Sequence, residues 1–304
     1  MNSPKPTTTV LSSTTSPNPA TDPAERRAFV ALALIEGLGP RRLAQLLSHH
    51  GSATELLDSP LHSRGLLPGF TSVVASALRR PPLEQADALL DECQAKGLHL
   101  LTPADSEFPP LLRSIPDPPP LLFGRGSLAC GHQPAIAIVG SRDHTRYGAE
   151  VAERLGQVAA AAGLVVVSGM ARGLDAVAQM AALQAGGLSI GVLGTGVDVA
   201  YPASNRALYE EILPGGLLLS ELLPGSRPDR GSFPRRNRLI SGLSRALVVV
   251  EAADGSGTLI TVGAALEQGR EVLAVPGPIT SPTSRGTNRL LRDASGRSLL
   301  YVAK

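Results

Sequence analysis

At 304 residues and a formal net charge of +2, the chain can bury an ample core without disulfide or metal staples, and any hold on a polyanion must come from where its charges lie. Two cysteines, Cys93 and Cys130, with no CxxC spacing speak against a disulfide framework and a structural zinc site. Residues 1–24 lack a basic start followed by an apolar stretch, and no run reaches the roughly 18 apolar residues of a membrane span, so no membrane association and a cytoplasmic location are expected.

Fifteen of the first 24 residues are Ser, Thr or Pro, too few apolar groups to offset the entropy of ordering them, so a disordered tail is expected there. From 25 to 80 the pattern changes to short helices. An apolar helix leads to the turn Gly37-Leu38-Gly39 and to a second helix with Pro40 in its first turn, and Pro68-Gly69-Phe70 repeats the scheme more weakly. Helix, glycine turn and helix form a helix-hairpin-helix pattern, whose free amides can hold a backbone phosphate. A module that only packs against protein fits the same pattern.

Residues 81–134 are proline-rich, with one helix at about 83–96 and extended pieces after it, and read as a connector packed on the next domain. From 135 to 304, aliphatic runs at 135–140, 164–169, 189–194, 217–221, 246–252 and 271–277 alternate with amphipathic stretches at about 146–162, 172–186, 204–213 and 258–269. The runs are continuously apolar, as parallel strands covered on both faces must be. The fold class expected is therefore α/β, an extended Rossmann-like doubly wound parallel sheet preceded by a small all-α domain.

Ligands of such a sheet sit beyond the carboxyl ends of its strands. Four of those ends place Gly or Ser just before a helix: Gly140-Ser141-Arg142, Ser168-Gly169, Gly194-Thr195-Gly196 and Ser256-Gly257-Thr258. Bare glycine lets a phosphate reach the backbone, and the helix behind it supplies amides and about half a positive charge. Arg142 and Arg172 would add fixed charge to that rim.

Several chemistries are missing. No GxxxxGK[ST] occurs, and Gly194-Thr195-Gly196 and Gly255-Ser256-Gly257 each begin a dinucleotide fingerprint that neither completes. The one GxSxG, around Ser189, begins a strand rather than an elbow, and no histidine follows His144 to complete a later triad. Without HExxH or paired His/Cys clusters, no metal, cofactor or catalytic residue is expected.

Residues 225–245 hold six arginines (227, 230, 235, 236, 238 and 245) against one acid, Asp229. A solvated charged loop is the ordinary explanation of such a run. Here Phe233 and Pro234 precede the arginines, and RRNRLISGLS reads as a short helix with Leu239, Ile240 and Leu243 inward. An aromatic beside a cationic groove suits a single strand, a base on the ring and phosphates on the guanidinium groups. A phosphorylated small molecule is the main alternative.

The blocks VGSRDHTRYG, VVSGMARGLDAVAQMAAL, GVLGTGVDVAYPASN, LLLSELLPG, FPRRNRLISGLSRALVVVEAADGSGTLIT, ALEQGREVLAVPG and GTNRLL follow in order. In these the chain from about Thr102 onward resembles the DNA-processing protein A (DprA/Smf) family. The resemblance implies single-stranded DNA bound along the strand ends, protection of incoming DNA in natural transformation, its transfer to the recombinase RecA, homodimers through the Rossmann-like domain, and no catalysis. On matching positions Gly140, Ser141, Arg142, Ser168, Gly169 and Arg172 would form a phosphate pocket. Phe233, Arg235, Arg236, Asn237 and Arg238 would form the adjoining basic edge, and Ser256, Gly257 and Thr258 a further amide-rich turn. Gln179 stands where the family usually has His, and Asp293-Ala294-Ser295 replaces its usual ending. Many members continue into a winged-helix domain.

Two other readings share parts of this pattern. A Rossmann-type phosphoribohydrolase of the lonely-guy kind carries PGGxGT followed closely by Glu, whereas here the acid nearest after Asp254-Gly255-Ser256-Gly257-Thr258 is Glu267. A protein-interaction scaffold would instead set the basic edge against an acidic partner.

Overall fold

The computed structural model describes residues 22–60, 71–293 and 297–298. The expected turn at Pro68-Gly69-Phe70 and most of the expected tail lie outside them. The first helix, α1 (Pro23–Ala33), begins inside the stretch expected to be tail, because Asp22 caps it by accepting the Ala24 N–H and Pro23 suits its first turn. A turn containing Gly37 at φ +82° leads to α2 (Pro40–His50), and α3 (Ala53–Asp58) and α4 (Ser72–Arg79) complete the helical module. Leu32, Leu43, Leu46, Leu56 and Leu78 form its core.

The proline-rich stretch is more than a connector. After α5 (Leu83–Ala95) it supplies β1 (His99–Leu101), the short α6 (Pro110–Arg113) and β2 (Leu122–Gly126). These strands are antiparallel and extend the main sheet, so the expected break near residue 134 does not divide it, and its edge is mixed rather than parallel. Runs as short as HLL and LFGRG, set among prolines, carry too little periodicity to be read as strands.

The remaining elements alternate as expected: β3 (Ala135–Val139), α7 (Arg146–Ala161), β4 (Val165–Ser168), α8 (Leu174–Gln184), β5 (Ser189–Val192), α9 (Arg206–Ile212), β6 (Leu217–Ser220), α10 (Ser232–Gly242), β7 (Ala246–Val249), α11 (Thr258–Glu267), β8 (Glu271–Ala274), α12 (Arg285–Arg292) and β9 (Arg297–Ser298). The sheet runs β1-β2-β6-β5-β4-β3-β7-β8-β9, parallel from β6 to β9. Strand alternation divides the apolar residues between two faces. Ala135, Ala137 and Val139 of β3 face α10, α11 and α12, while Ile138 faces α7 and α8.

From β3 the chain winds outward through β4, β5 and β6, then returns through α10 to β7 on the other side of β3. The order reverses there, and a crevice opens between the carboxyl ends of β3 and β7. Leu239 and Ile240 of α10 are at most 1 % exposed and contribute about 1.5–3 kcal/mol each, which seats the helix on the sheet despite the charge along it.

Candidate nucleic-acid interface

The switch-point crevice is a cleft of about 590 Å³. Gly140, Ser141 and Arg142 form one wall, Phe233, Arg236 and Asn237 of α10 another, and Ser256, Gly257 and Thr258 at the start of α11 the third. Segments up to 118 residues apart thus share one site. Hydrogen bonds join the walls: Thr258 Oγ1 donates to Gly140 O at 3.3 Å, and Asn237 Nδ2 donates to Gly257 O at 3.3 Å. A smaller lobe of about 230 Å³ adjoins the cleft and takes in Gly169 and Arg172.

Ser168 is fully buried below the site and donates to Ile138 O at 2.6 Å, so it supports the β3–β4 floor and does not face a ligand. The amides of Gly140 and Gly169 are also unavailable. Both donate to the buried carboxylate of Asp175, at 3.3 and 3.1 Å, which draws the two loops together. The amides of Ser141, Arg142 and Asp143 make no hydrogen bond among the described residues. The free amides of this loop thus begin at Ser141, one residue after the Gly140 that opens the sequence motif, and the Gly257 amide across the cleft likewise makes no hydrogen bond among the described residues.

The three crowded arginines have three different surroundings. Arg236 is 7 % exposed, and its Nη1 donates to Gly169 O and Val192 O. Burial depresses its pKa to about 10, the charge of Asp175 opposes that fall, and the like charge of Arg142 adds to it. Asp175 is pushed upward by burial, with Arg236 and the two loop amides pulling the other way. A Cβ at Gly169 would stand 2.7 Å from Arg236 Nη2 and 2.8 Å from Asp175 Oδ2, so only glycine fits between them. Asp175 carries no signal of this role in the sequence, because an acid in the first turn of a helix ordinarily signals only a favourable dipole.

Arg238 is equally committed. It binds Glu221 through both terminal nitrogens at 2.9 and 2.7 Å and Asp117 through Nε at 2.7 Å. Burial works against its charge, but the two acids outweigh burial and hold its pKa above the ordinary arginine value. Arg238→Ala should therefore lower stability by about 2 kcal/mol, as loss of charged hydrogen bonds does, yet leave the salt dependence of DNA binding unchanged. Chemical denaturation and a salt titration on the same variant check both halves.

Arg142 and Arg230 line the cleft, and Arg235 stands outside it in a neighbouring pocket with Arg238; all three are exposed and without an ion pair among the described residues. Arg172 pairs at 2.9 Å with Asp143, both largely exposed, an interaction weak enough to exchange for phosphate. Arg142 carries its guanidinium 6.0 Å from the centre of the Phe233 ring. Phe233 is fixed from behind, since a Cβ at Gly194 would stand 2.7 Å from its Cδ1. Gly194-Thr195-Gly196 is therefore a seat for Phe233 more than a phosphate loop.

Gln179 lies outside the site. It is fully buried between α8 and β5, where its Nε2 donates to Ser189 Oγ at 2.9 Å and Ile190 O at 3.2 Å. Glu251, just after β7, accepts from the backbone and hydroxyl of Thr145 and anchors the far end of the Gly140 loop.

The arrangement is that of a Rossmann-like protein with a rigid, basic, amide-bearing cleft at its switch point, suited to holding phosphate beside an aromatic ring. The family model of DNA recombination-mediator protein A matches residues 99–301, and the chain belongs to that family of DNA-processing proteins. Protein Smf of Synechocystis is 37 % identical over 281 residues, spanning 90 % of this chain and 70 % of the relative. The X-ray structure of DNA processing protein A (DprA) from Streptococcus pneumoniae matches with a TM-score of 0.78 at 34 % identity, covering 90 % of this chain and 94 % of that one. DNA processing protein A from Helicobacter pylori, described for its single-stranded DNA binding mode, matches with a TM-score of 0.62 at 30 % identity over 67 % of this chain and 91 % of its own.

Proposed function

We propose that the chain binds single-stranded DNA across the switch-point cleft, protects it during natural transformation and passes it to RecA, as a cytoplasmic homodimer and without catalysing a reaction. The observation that carries the binding is the setting of Arg142. It stands exposed beside Phe233, it lies near enough to Arg236 for like charge to add to the burial that chiefly depresses that side chain's pKa, and free amides lie next to it on the same loop. An anion in the cleft relieves that repulsion, and a ring beside it accepts a base, which together select a polynucleotide with unpaired bases. The H. pylori relative's single-stranded DNA binding supports this reading. The recombinase, transformation and homodimer parts rest on the family resemblance.

The phosphoribohydrolase alternative lacks its carboxylate. Glu267 is exposed at the far end of α11, about 14 Å along the helix from Thr258 at 1.5 Å per residue. Among the described residues no helix is long and apolar enough to cross a membrane.

The direct test compares a single-stranded oligonucleotide with its duplex at matched salt. Single-strand binding at least about tenfold tighter is expected, because a duplex keeps its bases stacked and withholds them from Phe233. Equal affinity would move the main point of attachment to the turn before α2.

A further inference from the structure

The turn before α2 is far from the cleft in the chain, but a line of hollows in the surface joins the two. Beside the cleft lies a pocket of about 530 Å³, and Pro234 and Arg236 border both. Arg235 stands in this pocket, and Pro40, the first residue of α2, forms part of its wall. Pro40 and Asp117 in turn border a third hollow of about 390 Å³, completed by Gly37, Gly39, Arg41 and Arg42. Cleft, Arg235 pocket and turn are thus three stages of one groove that crosses from the sheet to the helical module.

The groove beyond the cleft is positive. Five arginines line its two hollows against two acids, Asp117 and Glu221, and both acids are already held by Arg238 at 2.7 Å. Arg235 and Arg41 are exposed and make no ion pair among the described residues. Arg236, 7 % exposed at the pass between cleft and groove, keeps an Nε without a hydrogen-bond partner among the described residues. At the far end the amides of Gly39 and Arg41 are equally without partners, and no atom stands within 4 Å of where a Cβ on Gly39 would lie, so the turn opens outward. Cations and unused donors strung along a groove suit a chain of anions.

The junction the groove crosses is fixed. Arg26 of α1 pairs with Asp105 at 2.8 Å and donates to Leu100 O, while Val30 and Ala31 pack with Leu98, Leu100 and Phe123 at the antiparallel edge of the sheet. A track already in place avoids part of the ordering cost of binding.

We propose that the strand held in the cleft continues past Arg235 to the turn before α2, where Arg41 and the free amides of the turn take a further backbone phosphate. This rests on the single-stranded DNA reading of the cleft and extends it to a second contact, on the helical module. No aromatic ring lines either hollow, so the extension holds backbone and reads no base.

The experiment uses the full chain with two oligo(dT) probes, one of about 4 nucleotides, sized for the cleft alone, and one of about 16 that can reach α2, the two ends of the range for single-strand sites. Arg142→Ala should weaken both. Arg41→Ala should weaken only the longer, by about tenfold at low salt as for one charge-assisted contact, and should flatten its salt slope by about 0.7, while the shorter probe behaves as with wild type. Arg41→Lys keeps the charge and should keep the wild-type slope, which a packing role for the arginine would not require. An unchanged slope for the longer probe in Arg41→Ala, or equal losses on the two probes, overturns the track and leaves the function of the cleft standing. Absence of wild-type binding to the longer probe overturns the function itself.

Discussion

Replacing Arg236 with methionine is expected to cost about 3 kcal/mol of folding stability and to abolish tight single-strand binding, although Arg236 presents little charge to solvent. Two carbonyls, Gly169 O and Val192 O, lose their donor, and Asp175 is left in a low-dielectric site without the charge that opposes its protonation. Asp175 holds the loops after β3 and β4 through Gly140 and Gly169, so its change of state reaches the cleft walls directly. Pairing Arg236→Met with Asp175→Leu should recover much of the stability, because apolar groups replacing both members of a buried charged pair remove the desolvation penalty. Binding should not recover, since nothing then ties the two loops. Urea unfolding of the single and double variants, with oligonucleotide titration of each, checks the two halves.

The same variant should show a diagnostic pH dependence. The folded-state pKa of Asp175 lies above its unfolded value, so its contribution to stability is fully present below the unfolded pKa and is lost as pH rises through the folded one. Removing Arg236 raises that folded pKa further. The deficit of Arg236→Met is therefore largest near neutral pH and narrows as pH falls through the range where Asp175 takes up its proton. A deficit constant from neutral pH to about pH 4, the ordinary carboxylate range, would show that the two unsatisfied carbonyls, not the charge pairing, account for it.

The architecture was legible wherever a segment buries two faces. Runs such as LVVVSG and ALVVVEA have no solvent side, and strands β4 and β7 appear within a few residues of where those runs lie. Strands β1 and β2 were not legible, because three to five residues among prolines carry no period. The cleft was legible in its loops and not in its charges. Composition places Arg235, Arg236 and Arg238 together, but their free charge depends on Asp175, Glu221 and Asp117, the farthest of them 121 residues from its partner. Only the folded chain assigns such partners. The repulsion implied by three adjacent arginines is thus relieved mostly from within: one is buried against a carboxylate's field, one is held by two acids, and one, Arg235, remains for an outside anion.

The salt dependence of binding should therefore follow the exposed set and not the crowded one. Removing one cation that holds a phosphate of a single strand flattens the slope of log affinity against log salt by about 0.7. The triple variant Arg142→Ala, Arg230→Ala, Arg235→Ala should flatten it by about 2, and at low salt should lose affinity on the order of a thousandfold, as three charge-assisted bonds of about 1.5 kcal/mol each imply. All three side chains are exposed and unpaired among the described residues, so the thermal midpoint should scarcely move. Arg142→Ala alone should account for the largest share of the affinity loss, because its guanidinium also packs beside Phe233 and stands where the cleft meets the smaller lobe. If Arg238→Ala flattens the slope as much as Arg235→Ala, the pairing of Arg238 with Glu221 and Asp117 opens when DNA binds, and the basic edge is wider than the free protein displays.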